Sequence, residues 1–180
     1  MTLLDLKLSE PHTDVSLKFE VQRMVNAGYT GRDMTSVKAH IEELKKEGVT
    51  PPASIPMIFP VPSDNLTTSS QIEVTGKKTS GEVEFVLLVD NDDMYVGVGS
   101  DHTDRQLETH DIACSKQVCP NVLAARVWRL STVQKVWDDL VLQSWVGEHH
   151  HGETLYQQAK LKALLSPDDL IAFIRNHMPD

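Results

Sequence analysis

The sequence predicts a mainly antiparallel α+β domain, and three observations carry that prediction. Short alternating segments recur along the chain, two of them face each other across a four-residue acidic turn, and the helix signals fall at the margins rather than between successive strands. Thr2-Leu3-Leu4-Asp5-Leu6-Lys7-Leu8 alternates as a strand, and Val15, Leu17, Phe19 and Val21 form a second one after the turn signals from Pro11 to Asp14. Thr35 or Ser36 caps a helix with Val37, Ile41 and Leu44 on one stripe, ending at Gly48 before Pro51 and Pro52. Between Ser54 and Val61, Pro56 and Pro60 allow only an edge or irregular extended strand, with Pro62 just beyond. Gln71 to Thr75 reads as a short strand, and Gly76-Lys77-Lys78 as a turn into the hairpin. Thr103 to Ala113 is polar, a short helix or a loop; Thr132 to Asp139 is helical and leads into a strand from Leu140 to Val146. Ser166-Pro167-Asp168-Asp169 combines an N-cap, a first-turn proline and dipole-matching acids, launching a terminal helix through Leu170, Ile171, Phe173 and Ile174.

At 180 residues, with 40% hydrophobic and 24% charged side chains, the chain is long enough for one domain with a sizeable core, covering 1–180, and carries no internal repeat or linker. No apolar run approaches the roughly 18 residues that span a bilayer, and the N-terminus carries an acid where a signal peptide has a basic leader. A cytoplasmic protein without a membrane partner is expected. A net charge of −9 opposes phosphate backbones, which argues against nucleic acid as a partner. Cys114 and Cys119 miss the C-x-x-C spacing and read as buried reduced thiols, and His149-His150-His151, beside two glycines, reads as a polar turn rather than a soft-metal site.

The hairpin holds the chemistry. Its first strand is Gly81-Glu82-Val83-Glu84-Phe85-Val86-Leu87-Leu88-Val89, its turn Asp90-Asn91-Asp92-Asp93, and its return strand Met94 to Asp101. Side chains two apart share a face, so Glu82 and Glu84 stand with Val86 and Leu88 on a segment too apolar for a solvated edge. A two-residue loop pairs 90 with 93, and counting back sets Glu82 opposite Asp101 and Glu84 opposite Gly99. Directly opposed like charges destabilise a sheet, and an oxygen-only set of this kind suits Mg²⁺ or Mn²⁺, with Ca²⁺ as the alternative. The rival reading is a half-exposed hairpin with acidic decoration.

These residues resemble the fumarylacetoacetate hydrolase superfamily, and more closely a bacterial and fungal family of unknown function within it. Gly81-Glu82-Val83-Glu84-Phe85-Val86 is similar to the superfamily's E-x-E strand, and Ser100-Asp101-His102-Thr103-Asp104-Arg105 to its N-D-x-[ST]-x-R segment. The resemblance implies that Glu82, Glu84 and Asp101 hold a divalent cation. Ser115-Lys116, with Pro120 beyond, resembles the G-K element, serine replacing glycine, and His40-Ile41-Glu42-Glu43 the helical H-x-x-E, preceded by Gly31-Arg32. The match runs from about Gly28 to Pro120. The T-G-T-P-x-G-V-G segment of the superfamily is absent, and Glu153-Thr154-Leu155-Tyr156-Gln157 stands in its region.

By this resemblance the fold is a mixed β-sandwich roll or barrel with peripheral helices, and the protein is a homodimer, an expectation the apolar Ile58, Phe59 and Val61 of the Pro56 to Pro62 segment share, since they need cover. The expected function is a metal-dependent hydrolase or lyase acting on a small 2-oxo acid or β-dicarbonyl, by C–C hydrolysis, decarboxylation or keto-enol isomerisation. Chelation of the substrate's two oxygens stabilises an enolate, the step these reactions share. His40 with Glu43 is the expected base and Lys116 the anion binder. Arg105 serves the same anion or pairs with nearby acids; Tyr156 and Gln157, core and strand residues by default, become substrate-contact candidates by their place opposite the absent segment. Asp104 and Glu108, one turn apart, read as exposed. The other class of function is a noncatalytic small-molecule-binding or structural protein that keeps the fold.

Overall fold

Leu4, Leu6 and Leu8 alternate with Leu3, Asp5 and Lys7, and strand β1 (Thr2–Glu10) buries the first set and exposes the second. The computed structural model describes residues 1–46, 48–91, 93–148 and 152–178. A tight turn returns the chain as β2 (Thr13–Val21), which sets Phe19 against Leu4 and Leu17 against Leu6. Strand β3 (Met24–Gly28) follows, then helix α1 (Met34–Lys46). The cap of α1 is Asp33, not Thr35 or Ser36: its carboxylate accepts from the Thr35 and Ser36 amides at 3.0 and 3.3 Å. An acid one turn earlier reaches these free amide donors with two oxygens where a hydroxyl has one. Val37 and Ile41 are buried as the stripe predicts, and Gly48 takes a left-handed φ of 93° past the helix end.

The proline-bearing segment becomes β4 (Met57–Val61), antiparallel to β3 in a separate two-stranded ribbon. Two-residue β5 (Leu66–Thr67) comes next. Gln71 to Thr75 is no strand; Val74 is exposed and no strand among the described residues pairs with it, so alternation there has no ladder to support it. The hairpin forms as β6 (Thr79–Asp90) and β7 (Asp93–Asp104), and Asn91 adopts the left-handed φ of 50° that a two-residue hairpin loop favours. Short helices α2 (Arg105–Glu108) and α3 (Ile112–Gln117) lead to β8 (Asn121–Arg129), then α4 (Leu130–Val133) and a 3₁₀ turn over Gln134–Asp139. Strands β9 (Val141–Glu148) and β10 (Gly152–Lys160) form a second ribbon, and α5 (Pro167–His177) starts at the Ser166 cap, whose hydroxyl accepts from the Asp169 amide at 3.2 Å.

The main sheet runs β2-β1-β8-β7-β6, with β5 also on β8. The β1–β8 and β5–β8 pairs are parallel and the rest antiparallel. The architecture is α+β with mixed, mostly antiparallel sheets. Both sheet faces are covered. Leu88 and Tyr95, partners across the hairpin, join Leu4, Leu6, Leu8, Phe19, Leu123 and Val127 on one face. Their chain neighbours Leu87 and Val96 join Leu130, Trp137 and Leu161 on the other, where Phe85 meets Trp137 edge-on at 5.1 Å. Phe59 and Val61 are buried within the chain itself, so the Pro56 to Pro62 segment leaves little apolar surface for a partner to cover. Of the two free cysteines, Cys119 is buried as expected, but Cys114 lies exposed on α3. His149, His150 and His151 lie outside the described residues. No helix among the described residues is long and apolar enough to cross a membrane.

Candidate functional site

The hairpin register is the one that counting back from the turn predicts: Asp90 pairs with Asp93, Glu84 with Gly99 and Glu82 with Asp101. Strand parity then puts both glutamates on the face of Val86 and Leu88, and Asp101 on the face of Tyr95, so the acids extend the first core beyond its last apolar side chains. Gly99 is needed at this point. A Cβ there would lie 2.5 Å from Val86 Cγ2 and 2.6 Å from the Val122 carbonyl oxygen. One strand further in, Asn121 of β8 pairs with Asp101. Asp101, Thr103 and Asn121 are all buried, yet Asp101 Oδ1 and the Thr103 hydroxyl have no hydrogen-bond partner among the described residues.

Two cations meet this face. Lys116, buried on α3, donates from Nζ to Asp101 Oδ2 and stands 5.8 Å from the Phe59 ring centroid. Asn121 Nδ2 reaches the Lys116 carbonyl at 3.5 Å, and Asn121 Oδ1 accepts from Asn26 Nδ2 at 3.0 Å. Arg105 is aimed back at β6 because Asp104 caps α2, accepting from the Gln106 and Leu107 amides at 2.9 Å each. Its Nε donates to Ser80 Oγ at 2.7 Å, Nη2 to Glu82 Oε1 at 2.8 Å and Nη1 to Glu108 Oε2 at 3.0 Å. Glu108 is therefore not exposed; its side chain keeps 12% of its surface, because Arg105 one turn earlier draws it inward.

The charges do not balance. Burial first, then the neighbouring Glu82 and Asp101 charges, push Glu84 up to about 8 against a smaller downward pull from Lys116. Asp101 is also raised, burial outweighing the Lys116 contact. Burial works against the Arg105 guanidinium, but Glu82 and Glu108 together outweigh it and hold its pKa above the usual value. His102, on the other side of β7, is lowered by burial and then by Arg105.

The remaining expected residues lie apart. His40 and Glu43 are exposed on α1 with Nδ1 and Oε2 3.9 Å apart, and no hydrogen bond or ion pair among the described residues joins them to the hairpin acids. Tyr156 is half exposed at a bulge in β10, not in a core, because the ribbon there is open to solvent on both faces, with Leu155 exposed as well. Its neighbour Gln157 does reach the site's strand: Oε1 accepts from the Val83 amide at 2.8 Å and from Ser144 Oγ at 2.9 Å. As the side chains stand, no group of three or more His, Cys, Asp or Glu among the described residues is placed to hold a metal ion. One oxygen each of Asp101 and Glu82 is already taken by Lys116 and Arg105.

A family model described as "Protein of unknown function (DUF2848)" matches residues 27–180. The chain belongs to that family. No curated protein and no solved structure matches the chain. The DUF2848 match takes in the whole hairpin, both cations and the β9–β10 ribbon, and leaves out Asn26 by one residue. Sequence reasoning passed over Ser80, Thr103 and Asn121 here and read Glu108 as exposed. Two were within reach: Ser80 precedes Glu82 at the same-face spacing, and Glu108 follows Arg105 at helical spacing. Asn121 carries no local signal, since only its pairing across from Asp101 brings it in.

Proposed function

We propose that the chain is a divalent-metal-dependent hydrolase or lyase acting on a small 2-oxo acid or β-dicarbonyl, with Mg²⁺ or Mn²⁺, or alternatively Ca²⁺, at Glu82, Glu84 and Asp101. One observation carries the reading: a buried Asp101 oxygen with no hydrogen-bond partner among the described residues shares its face with Glu84, which burial first, and then the charges of Glu82 and Asp101, push up to about 8. Four carboxylates, Glu82, Glu84, Asp101 and Glu108, face two cations, Lys116 and Arg105, and fully ionised they leave an excess of two negative charges. The donor set is all oxygen, which fits a hard divalent ion. When bound, such an ion draws in both oxygens of a 2-oxo acid or dicarbonyl and lowers the cost of enolate charge.

The chain's own residues supply the rest. Lys116, in leaving Asp101, holds the substrate carboxylate or the developing oxyanion. Arg105 keeps Glu82 oriented through Ser80 and Glu108, and takes a substrate anion only by exchanging one of those partners. His40, with Glu43, is the base the resemblance assigns, and from its solvent-facing place on α1 it acts only if the helix closes over the hairpin. The same reading takes the mixed sheet and its two ribbons as a fumarylacetoacetase-like roll and the protein as a cytoplasmic homodimer. The exposed Trp145, Val146, Leu155 and Tyr156 of the β9–β10 ribbon offer apolar surface for the second copy.

A second reading, a noncatalytic small-molecule binder, draws on the engagement of both cations with protein acids and on the missing closing segment. Turnover of oxaloacetate and of an acylpyruvate with added Mg²⁺ or Mn²⁺, beside oxalate binding as an enolate mimic, separates the two. Metal-dependent turnover supports the enzyme. Oxalate binding without turnover supports the binder.

A further inference from the structure

Tyr29 has a left-handed backbone, φ 59°, which is an outlier for a bulky side chain and persists only where the surroundings over-determine it. Both flanks are fixed. On one side, Gly28 packs so closely that a Cβ would lie 2.9 Å from Phe59 Cε2, and Phe59 is the ring beside Lys116 Nζ. Two residues before Gly28, Asn26 bonds Asn121, the strand partner of Asp101. On the other side, the Thr30 carbonyl accepts from the Leu165 amide at 2.8 Å, and Gly31 bridges Leu164. The Arg32 amide donates to the Ala163 carbonyl at 2.9 Å, and its guanidinium pairs with Asp138 at 2.8 Å. The chain thus crosses from the carboxylate site to the C-terminal segment in one strained residue.

The side chain of that residue is half-buried, and no hydrogen bond to its hydroxyl is found among the described residues. Burial, then the charges of Glu108 and Glu82, raise the phenol above its usual value, so it stays a donor at neutral pH. A partly buried phenol without an internal partner is an available donor. The flanking contacts hold the strained backbone, while the hydroxyl it presents has no hydrogen bond among the described residues; strain of this kind is a mark of a functional position.

We propose that Tyr29 contacts the substrate, its hydroxyl donating to a carboxylate or carbonyl oxygen of the oxo acid held at the Glu82, Glu84 and Asp101 face. This rests on the metal-site reading. Lys116 must leave Asp101, and Arg105 must exchange Glu82 or Glu108, before either meets a ligand, whereas the Tyr29 hydroxyl has no hydrogen bond to break among the described residues.

The test is calorimetric titration of oxalate into the Mn²⁺-loaded protein, wild type against Tyr29→Phe, which removes the hydroxyl and keeps the ring. The expected result is oxalate affinity lower by about tenfold, the usual worth of one hydrogen bond to a charged group, with Mn²⁺ affinity and thermal midpoint unchanged. Equal oxalate affinity in the two proteins overturns the assignment of Tyr29 and leaves the metal site standing. A parallel loss of Mn²⁺ affinity also overturns it, since the hydroxyl would then act on the acids and not on the ligand. Failure of wild-type protein to bind oxalate with Mn²⁺ present overturns the metal-site reading and this inference together.

Discussion

Replacing Glu84 by glutamine should change how stability depends on pH. In the folded chain Glu84 titrates at about 8, against an ordinary 4.5, chiefly because it is buried and secondarily because Glu82 and Asp101 face it. Between those values the folded state keeps a proton that the unfolded state has released. Folding stability is therefore undiminished by this group below about pH 4.5, falls as pH rises, and levels off above 8. At about 1.4 kcal/mol per pH unit, the loss reaches at most about 5 kcal/mol. An amide has no such titration but still resists burial, so Glu84→Gln should gain about 2–4 kcal/mol over wild type at pH 9 and lie within about 1 kcal/mol of it at pH 5. Urea unfolding at pH 5, 6.5, 8 and 9 with a chelator present measures the difference directly. Parallel stability profiles for the two proteins would show that Glu84 is not uncompensated, and the charge imbalance at this face would be refuted.

Lys116→Met strips buried Asp101 of its partner and should destabilise the chain by about 3–5 kcal/mol near neutral pH, with Asp101→Asn restoring much of it; additive losses in urea unfolding would contradict the pairing. His40→Ala should leave Mn²⁺ and oxalate binding unchanged and lower turnover by about two to four orders of magnitude on whichever oxo acid first shows metal-dependent activity. Full activity in that variant would make α1 a structural helix. Light scattering should give a dimer at micromolar concentration, and Trp145→Asp with Leu155→Asp should shift it to a monomer; a wild-type monomer removes the homodimer.

The hairpin was legible because its rules are local. A two-residue loop sets the register, and a period of two then assigns every face, so Glu82, Glu84 and Asp101 could be placed on one surface from turn chemistry alone. The terminal helix was legible for the same reason, its cap and first-turn proline lying within four residues of each other. β8 was not, although it is the central strand. Ala124, Ala125 and Arg126 interrupt its apolar alternation, and its place is set by β1, β5 and β7, which lie far off in sequence. The same limit hid Asn121 and the Asn26 contact, both made across long separations. Gln71 to Thr75 failed in the opposite direction: the alternation was real, but no strand among the described residues pairs with it. The ion pairs of Lys116 and Arg105 were half legible, since their types suggested anion binding while only the fold reveals that protein acids already occupy them.

Calorimetric titration of Mn²⁺ at pH 8.5, where Glu84 is largely ionised, tests the metal-site reading most directly, with wild type beside Glu84→Gln and Asp101→Asn. The account predicts one ion per chain in the wild type and none measurable in either variant, with folded circular dichroism spectra for all three. Wild-type protein that takes up no Mn²⁺, or variants that take it up with wild-type affinity, would contradict it.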